Sequence, residues 1–266
     1  MHSFSGRVLA ITGASEGIGA ELARQLSGKG VWLALAARNL EKLEAVAAEC
    51  RARGAEAAAI RCDVSVESDC RNFIEETVRK YSSLDILVNN AGVSGHAQFE
   101  EVADFAWYEA MMRVNYMGSL YCTRYALPHL KQRRGQIVAI SSLAGRFAIP
   151  GRTGYGPSKA AQALFFDVLR VELRESGIDI TVVYPDIVAT GIRVRGYGPD
   201  GQPAGRSGLK DENAMPVAEC ARRIIAATHA RKRELVMTLR GKAGLWLKPA
   251  FPRTVDRMVL RALKKD

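Results

Sequence analysis

Tyr155 and Lys159 stand four residues apart in the run Tyr155–Gly156–Pro157–Ser158–Lys159. On a helix that spacing puts both side chains on one face. A tyrosine with a pKa of ~10 is mostly protonated at neutral pH. A nearby ammonium stabilises the phenolate and lowers that value. The pair then makes an acid/base group that can give a proton to a carbonyl oxygen or take one from an alcohol. Ser142 lies thirteen residues upstream of Tyr155, at the end of a predicted strand, and its hydroxyl can hold the same oxygen. Asn115 falls within a long helical stretch, where a helix irregularity exposes its backbone to a proton-relay water.

A second constellation opens the chain. Thr12–Gly13–Ala14–Ser15–Glu16–Gly17–Ile18–Gly19 joins the first predicted strand to the first predicted helix. Gly13 allows the tight turn, Gly17 lets backbone approach a pyrophosphate, and Gly19 lets helix and strand pack closely. The helix N-terminus turns its free N–H groups toward the phosphates, with Ser15, Glu16 and Ile18 in the contact set. Glu16 counts against an anion if it points inward, and is neutral if it faces solvent.

The second strand chooses between the two nicotinamide dinucleotides. An NAD site needs a carboxylate at its C-terminal end for the ribose 2′-hydroxyl. That end reads Leu35–Ala36–Ala37–Arg38–Asn39, so alanine replaces the acid and Arg38 follows. A guanidinium suits a 2′-phosphate, and NADP(H) is the expected cofactor. Asp63, followed by Val64, is placed to accept from the adenine amine, or else serves as a turn former or cap. Asn89–Asn90–Ala91–Gly92 ends the fourth strand, and small residues there let the chain pass close to the adenine ribose.

Alternating strands and helices position these groups. Strands are expected at 7–12, 31–37, 56–62, 84–89, 136–141, 178–184 and 234–238. Helices are expected at 17–29, 39–53 with Asn39 as N-cap, 67–81, 105–131 with a break or bend near Pro128, 153–176 and 216–229. Strict alternation implies a parallel sheet covered on both faces, doubly wound by right-handed crossovers. The expected fold is a single-domain α/β Rossmann domain over residues 1–240. A segment at about 191–215, rich in glycine, reads as a substrate lid. Its neighbours Phe147, Ile149 and Ile192 line an apolar cavity or simply pack.

Thr12–Gly19, Asn89–Gly92, Asn115, Ser142, Tyr155 and Lys159, in this order and spacing, resemble the short-chain dehydrogenase/reductase family over about residues 6–240. The resemblance implies a seven-stranded sheet, with Tyr155 as general acid/base. Lys159 would lower its pKa while holding the nicotinamide ribose, Ser142 would orient the substrate oxygen, and Asn115 would support the relay. Ser141 is the competing serine, at a spacing that fits the family less well. Pro185, Val188 and Thr190 complete the implied cofactor set, but Asp186 stands where the family usually has glycine, and its role stays open. Tyr121–Pro128, Ser142–Gly145 and Pro150–Thr153 are similar to a branch with hydroxysteroid-dehydrogenase-like and ketosphinganine-reductase-like enzymes, which act on bulky lipophilic ketones and alcohols. The implied activity is NADP(H)-dependent carbonyl reduction or its reverse. The competing class is a non-catalytic NADPH-binding regulator or scaffold on the same fold.

Charge and composition limit the partners. The chain has 266 residues, 38 basic and 28 acidic side chains, for a net charge of +10. Eleven Lys/Arg against three Asp/Glu fall in residues 229–266, so the body is nearly neutral and nucleic-acid binding is not expected. Five scattered cysteines without metal-ligand spacing read as reduced thiols, and no metal is expected. The N-terminal residues lack an apolar signal core, and a cytoplasmic location is expected. Surplus apolar residues on the 105–131 and 153–176 helices, among them Leu164, Phe165, Phe166, Val168 and Leu169, point to a homodimer or homotetramer. The extension 241–266 carries Val255, Met258, Val259, Ala262 and Leu263 at helical spacing, flanked by cations and preceded by Trp246, Leu247 and Phe251. Over 246–266 that pattern fits peripheral contact with an anionic membrane, or packing of the same face on the body or a partner subunit.

Overall fold

Short aliphatic runs with alternating faces make the strands. In β1 (Arg7–Thr12), Leu9 and Ile11 enter one apolar cluster while Val8 and Ala10 enter another. The period of two therefore assigns each strand residue to one of two cores, one on either side of the sheet. The computed structural model describes residues 4–28, 30–205 and 214–265.

After β1 come α1 (Gly17–Leu26), β2 (Val31–Ala37), α2 (Leu40–Ala52), β3 (Glu56–Arg61), α3 (Glu67–Tyr81) and β4 (Ile86–Asn89). The chain continues through α4 (Ala106–Met112), α5 (Gly118–Arg133), β5 (Gln136–Ile140), α6 (Tyr155–Glu172), β6 (Asp179–Tyr184), α7 (Val217–His229) and β7 (Glu234–Val236). Two further helices, α8 (Leu239–Leu247) and α9 (Pro252–Lys265), end it. The strands form one seven-stranded sheet in the order β3-β2-β1-β4-β5-β6-β7, with all neighbours parallel. This is the expected Rossmann architecture. Strand order reverses between β1 and β4, which opens a crevice at their carboxyl ends.

The long helical stretch breaks elsewhere than expected. α5 continues unbroken through Pro128, and the interruption is a π-helical turn over Arg113–Met117. Pro128 and Arg124 both sit on the exposed side of α5, so the carbonyl that Pro128 leaves without an N–H partner faces water. The π turn holds Asn115, fully buried, at its centre. That placement agrees with an irregularity at Asn115. Of the apolar residues assigned to a subunit interface, Phe166 and Leu169 belong instead to the chain's own core. Leu164, Val168 and Val171 remain exposed along one face of α6.

The segment after β6 carries turns and isolated bridges rather than a helix in its described part. Tyr197 bridges to Gly95 and to Pro203, and Val188 bridges to Met215. Residues 206–213 of the expected lid lie outside the described residues, as does the side chain of Leu263.

Candidate active site

The crevice is a cavity of about 520 Å³ that runs from the glycine loop past Tyr155 to the C-terminal helices. Every residue assigned from sequence to the cofactor or the catalytic set borders it, except Gly19 and Asn115. Those two lie behind its wall and act through packing and hydrogen bonds. Gly13 has a φ of +64°, and a Cβ there would stand 2.8 Å from the Ala91 Cα. A Cβ on Gly19 would meet the Gly13 carbonyl oxygen at 2.3 Å, so any side chain would push α1 off the loop. Thr12 Oγ1 accepts from the Asn90 and Ala91 N–H groups, which locks the end of β1 to the end of β4.

At the far end, Ala37, Arg38, Asn39 and Lys42 form the rim. Asn39 caps α2 by accepting from the Lys42 N–H at 2.9 Å. Lys42 thus adds a second cation beside Arg38, one that the strand-end comparison overlooked. Asp63 Oδ1 accepts from the Ser65 N–H and hydroxyl at 3.0 and 2.8 Å, so this oxygen closes a turn while the residue borders the cavity.

Near the middle, α6 begins at Tyr155 and presents Tyr155 and Lys159 to the same space. Gly145 permits this: a Cβ there would lie 2.8 Å from the Ala160 nitrogen, so only glycine lets the turn after Ser142 touch α6. The Ser142 side chain hydrogen-bonds Tyr155 and also accepts from the Ala144 N–H at 3.1 Å. The competing Ser141 is buried and donates to the Lys159 carbonyl, so it faces the helix backbone and not the cavity centre.

Lys159 is 3% exposed, and burial alone brings its pKa down to about 7. Its Nζ donates to the Ile140 carbonyl at 2.8 Å and to Gln162 Oε1 at 3.3 Å. Gln162 Nε2 donates to Ser119 Oγ, and Ser119 donates to the Asn115 carbonyl. Asn115 Oδ1 accepts from the Val93 N–H, and its Nδ2 donates to the Val93 carbonyl and Ser158 Oγ. A continuous buried chain of side chains therefore links Asn115 to Lys159. Ser119 and Gln162 carry no motif of their own and were missed. Only their one-turn spacings from Asn115 and Lys159 hinted at them. A Cβ on Gly92 would lie 3.1 Å from Asn115 Oδ1 and 3.2 Å from Lys159 Nζ, which explains glycine at that wall.

Burial raises the pKa of the Tyr155 phenol, against the pull of the Ser142 hydrogen bond and the charges of Arg152 and Arg193. Two arginines thus act on the phenol, beside the Lys159 that the sequence places on the same helix face. The Arg152 guanidinium carbon sits 5.7 Å from the centre of the Tyr155 ring, and its Nη1 donates to Ser94 Oγ and the Gly95 carbonyl. Arginine keeps its charge where a buried lysine titrates. Arg152 precedes the tyrosine by three residues, within the Pro150–Thr153 stretch that the sequence already singles out.

Two acidic side chains left open by the sequence find partners across the cleft. Glu16 pairs with Arg195 at 2.6 Å and so ties the glycine loop to the segment after β6. Asp186 accepts from the Thr238 hydroxyl at 3.0 Å and lies 3.7 Å from Arg240, holding the start of α8. Among the described residues, no group of three His, Cys, Asp or Glu could hold a metal ion, and no helix is long and apolar enough to cross a membrane. The five cysteines are buried and free.

Comparison with known proteins agrees with this geometry. A family model described as short chain dehydrogenase matches residues 7–196. The chain is 35% identical over 260 residues to the dehydrogenase/reductase SDR family protein 7-like of Dictyostelium discoideum, covering 96% of this chain and 81% of that protein. It is 39% identical over 188 residues to the 11-beta-hydroxysteroid dehydrogenase-like 4A of Arabidopsis thaliana, covering 70% of this chain and only 62% of that relative's length. A solved short chain dehydrogenase/reductase from Burkholderia phymatum, in complex with NAD, superposes with a TM-score of 0.83 over 96% of each chain at 24% identity, a likeness of fold.

Proposed function

This chain belongs to the short-chain dehydrogenase family, and from that premise we propose that it is an NADP(H)-dependent oxidoreductase that reduces a lipophilic ketone to a secondary alcohol, or runs the reverse. The observation that carries the reading is the single cavity joining the glycine loop to Tyr155, Ser142 and Lys159. The residues present fit a nicotinamide dinucleotide. The loop at 13–19 would hold the pyrophosphate, Arg38 and Lys42 a 2′-phosphate, Asp63 and Val64 the adenine, and Asn90–Gly92 the adenosine ribose. Pro185, Val188 and Thr190 would border the nicotinamide end, with Lys159 on the side of its ribose. When bound in its reduced form, the cofactor supplies a hydride to the carbonyl carbon.

The chain supplies the proton and the positioning. Ser142 donates a hydrogen bond to the carbonyl oxygen, and Tyr155 transfers its phenolic proton to that oxygen as the new C–H bond forms. The resulting phenolate is stabilised by Arg152 and regains a proton from water entering the cavity, while the Ser119–Gln162 hydrogen bonds hold Lys159 in position. In the oxidative direction, the phenolate takes the alcohol proton. A non-catalytic NADPH-binding scaffold is the competing reading, but it leaves the burial of an ionisable lysine beneath a tyrosine without a purpose. The test is NADPH consumption with a panel of ketones. Tyr155→Phe is expected to lose at least ~100-fold in turnover while NADPH affinity holds. Full turnover in that variant with a verified ketone would overturn the assignment.

Two partner readings go with it. The exposed Leu164, Val168 and Val171 face of α6 supports a homo-oligomer, which light scattering at micromolar concentration tests, a monomeric mass refuting it. Trp246, Leu239 and Phe251 are exposed on α8 and its link to α9, as are the cations Lys242 and Arg253, and support contact with an anionic membrane. Sedimentation with anionic vesicles that is lost in salt and in Trp246→Ser is expected, and its absence refutes the contact. Five buried free thiols fit a reducing compartment such as the cytoplasm.

A further inference from the structure

The amphipathic face of α9 turns inward. Val255, Met258, Val259 and Ala262, spaced as one helical stripe, border the cavity that also holds Tyr155. Val255 is 3% exposed, Val259 and Ala262 are partly covered, and Arg253, Asp256, Arg257 and Arg261 face solvent. The helix is held in this place by built contacts. Asp186 fixes the first turn of α8 through Thr238 and Arg240. Gly241 and Gly244 then let α8 close on the turn after Ser142. A Cβ on Gly241 would lie 2.8 Å from Leu143, and one on Gly244 2.9 Å from Phe147. Lys248 donates to the Arg146 carbonyl and stands 5.9 Å over the Phe147 ring. These elements fall after residue 196, beyond the stretch matched by the family model.

We infer that α9 is a wall of the substrate site, its Val255–Met258–Val259 face holding the apolar body of a ketone or alcohol whose oxygen sits at Ser142 and Tyr155. The inference rests on the oxidoreductase reading for the position of the oxygen. The case for the wall is the continuity of one cavity from the phenol to four apolar side chains. Part of Met258 and Val259 stays uncovered by any other part of the described chain, although burial of that stripe would be favourable. A ligand with an apolar body supplies that cover. Three residues from the body of the fold, Phe147, Ile149 and Ile192, border the same space. A substrate whose carbon chain extends from the phenol toward α9 would therefore gain affinity with each added methylene, by roughly fourfold per group fully removed from water.

The experiment uses the full chain, with 2-alkanones from 2-butanone to 2-dodecanone titrated by calorimetry in the presence of NADP⁺, which cannot reduce them. In the unaltered chain, affinity is expected to rise steeply with chain length. Val259→Asn and Met258→Gln each place a polar group in the wall, and Val259→Trp fills the space without adding charge. All three are expected to flatten the length dependence and to weaken 2-dodecanone at least tenfold, with 2-butanone and NADP⁺ affinities within twofold. A length dependence that survives in all three variants, or is absent from the unaltered chain, overturns the wall. NADPH or NADH consumption with the same ketones is read separately. No turnover with any of them counts against the oxidoreductase reading, while the binding slopes still decide the role of α9.

Discussion

Replacing Lys159 by methionine should change how stability depends on pH, and the size of the change follows from burial. Lys159 is held at a pKa of about 7 by desolvation, against 10.5 for the unburied side chain. Between those two values the folded chain binds fewer protons at this site than the unfolded chain does. Stability therefore rises with pH across the window from about 7 to about 10.5, and the penalty for burying the ammonium is present in full below it. From pH 6 to pH 10 the site contributes a gain of up to about 4 kcal/mol. A thioether does not titrate, so Lys159→Met should lose that slope. It also leaves the Ile140 carbonyl and Gln162 Oε1 without their donor, at about 1 to 3 kcal/mol each. The variant is thus expected to approach or exceed the native chain in stability at pH 6 and to fall clearly below it at pH 10. Urea unfolding without cofactor, at four or five pH values, measures both slopes. Parallel pH profiles for the two chains would refute the idea that an ionisable group is held neutral beneath Tyr155.

Arg38→Asp should weaken NADPH by roughly ten- to a hundredfold, the worth of a charge-assisted hydrogen bond of about 1.5 to 3 kcal/mol, while NADH gains; equal effects on both cofactors by fluorescence titration would refute the 2′-phosphate role. Arg152→Met should move the pH midpoint of alcohol oxidation upward by about half to one unit, since a cation over the ring is worth about 1 kcal/mol to the phenolate. An unmoved midpoint would refute a role for Arg152 at the phenolate. Gly92→Ala should lower kcat with little change in stability beyond about 1 to 3 kcal/mol of overpacking, because its methyl meets Asn115 and Lys159; an unchanged kcat would show that both can shift freely.

Most of the fold and of the cavity floor could be read from residue types because local physics demanded them. Gly13 must take a positive φ and Gly19 must tolerate a carbonyl at contact distance, so glycine there reports geometry directly. Tyr155 and Lys159 share a face through helical spacing alone. The strand pattern follows from two cores on opposite sides of one sheet. What escaped the sequence was set by contacts far along the chain. Glu16 and Asp186 looked ambiguous because their partners, Arg195 and Arg240, come from distant segments. Ser119 and Gln162 are ordinary polar helix residues until burial joins them to Asn115 and Lys159. The helix continues unbroken through Pro128 because its exposed position makes the missing hydrogen bond harmless.

The C-terminal stripe shows why amphipathicity by itself leaves a function open. The same Val255, Met258, Val259 and Ala262 spacing suits a bilayer, a partner subunit or the body of the chain, because each offers an apolar medium to one face and water to the other. The choice is made by α8. Its two glycines let it lie flat on the Leu143–Phe147 turn, and Asp186, the residue that departs from the family's usual glycine, ties its first turn to the end of β6. The end of β6 is thereby connected to the direction in which α9 faces, and through α9 to one border of the cavity that holds Tyr155. The residues proposed for proton transfer lie within the stretch that the family model matches, whereas α8 and α9, which border the same cavity, lie beyond it.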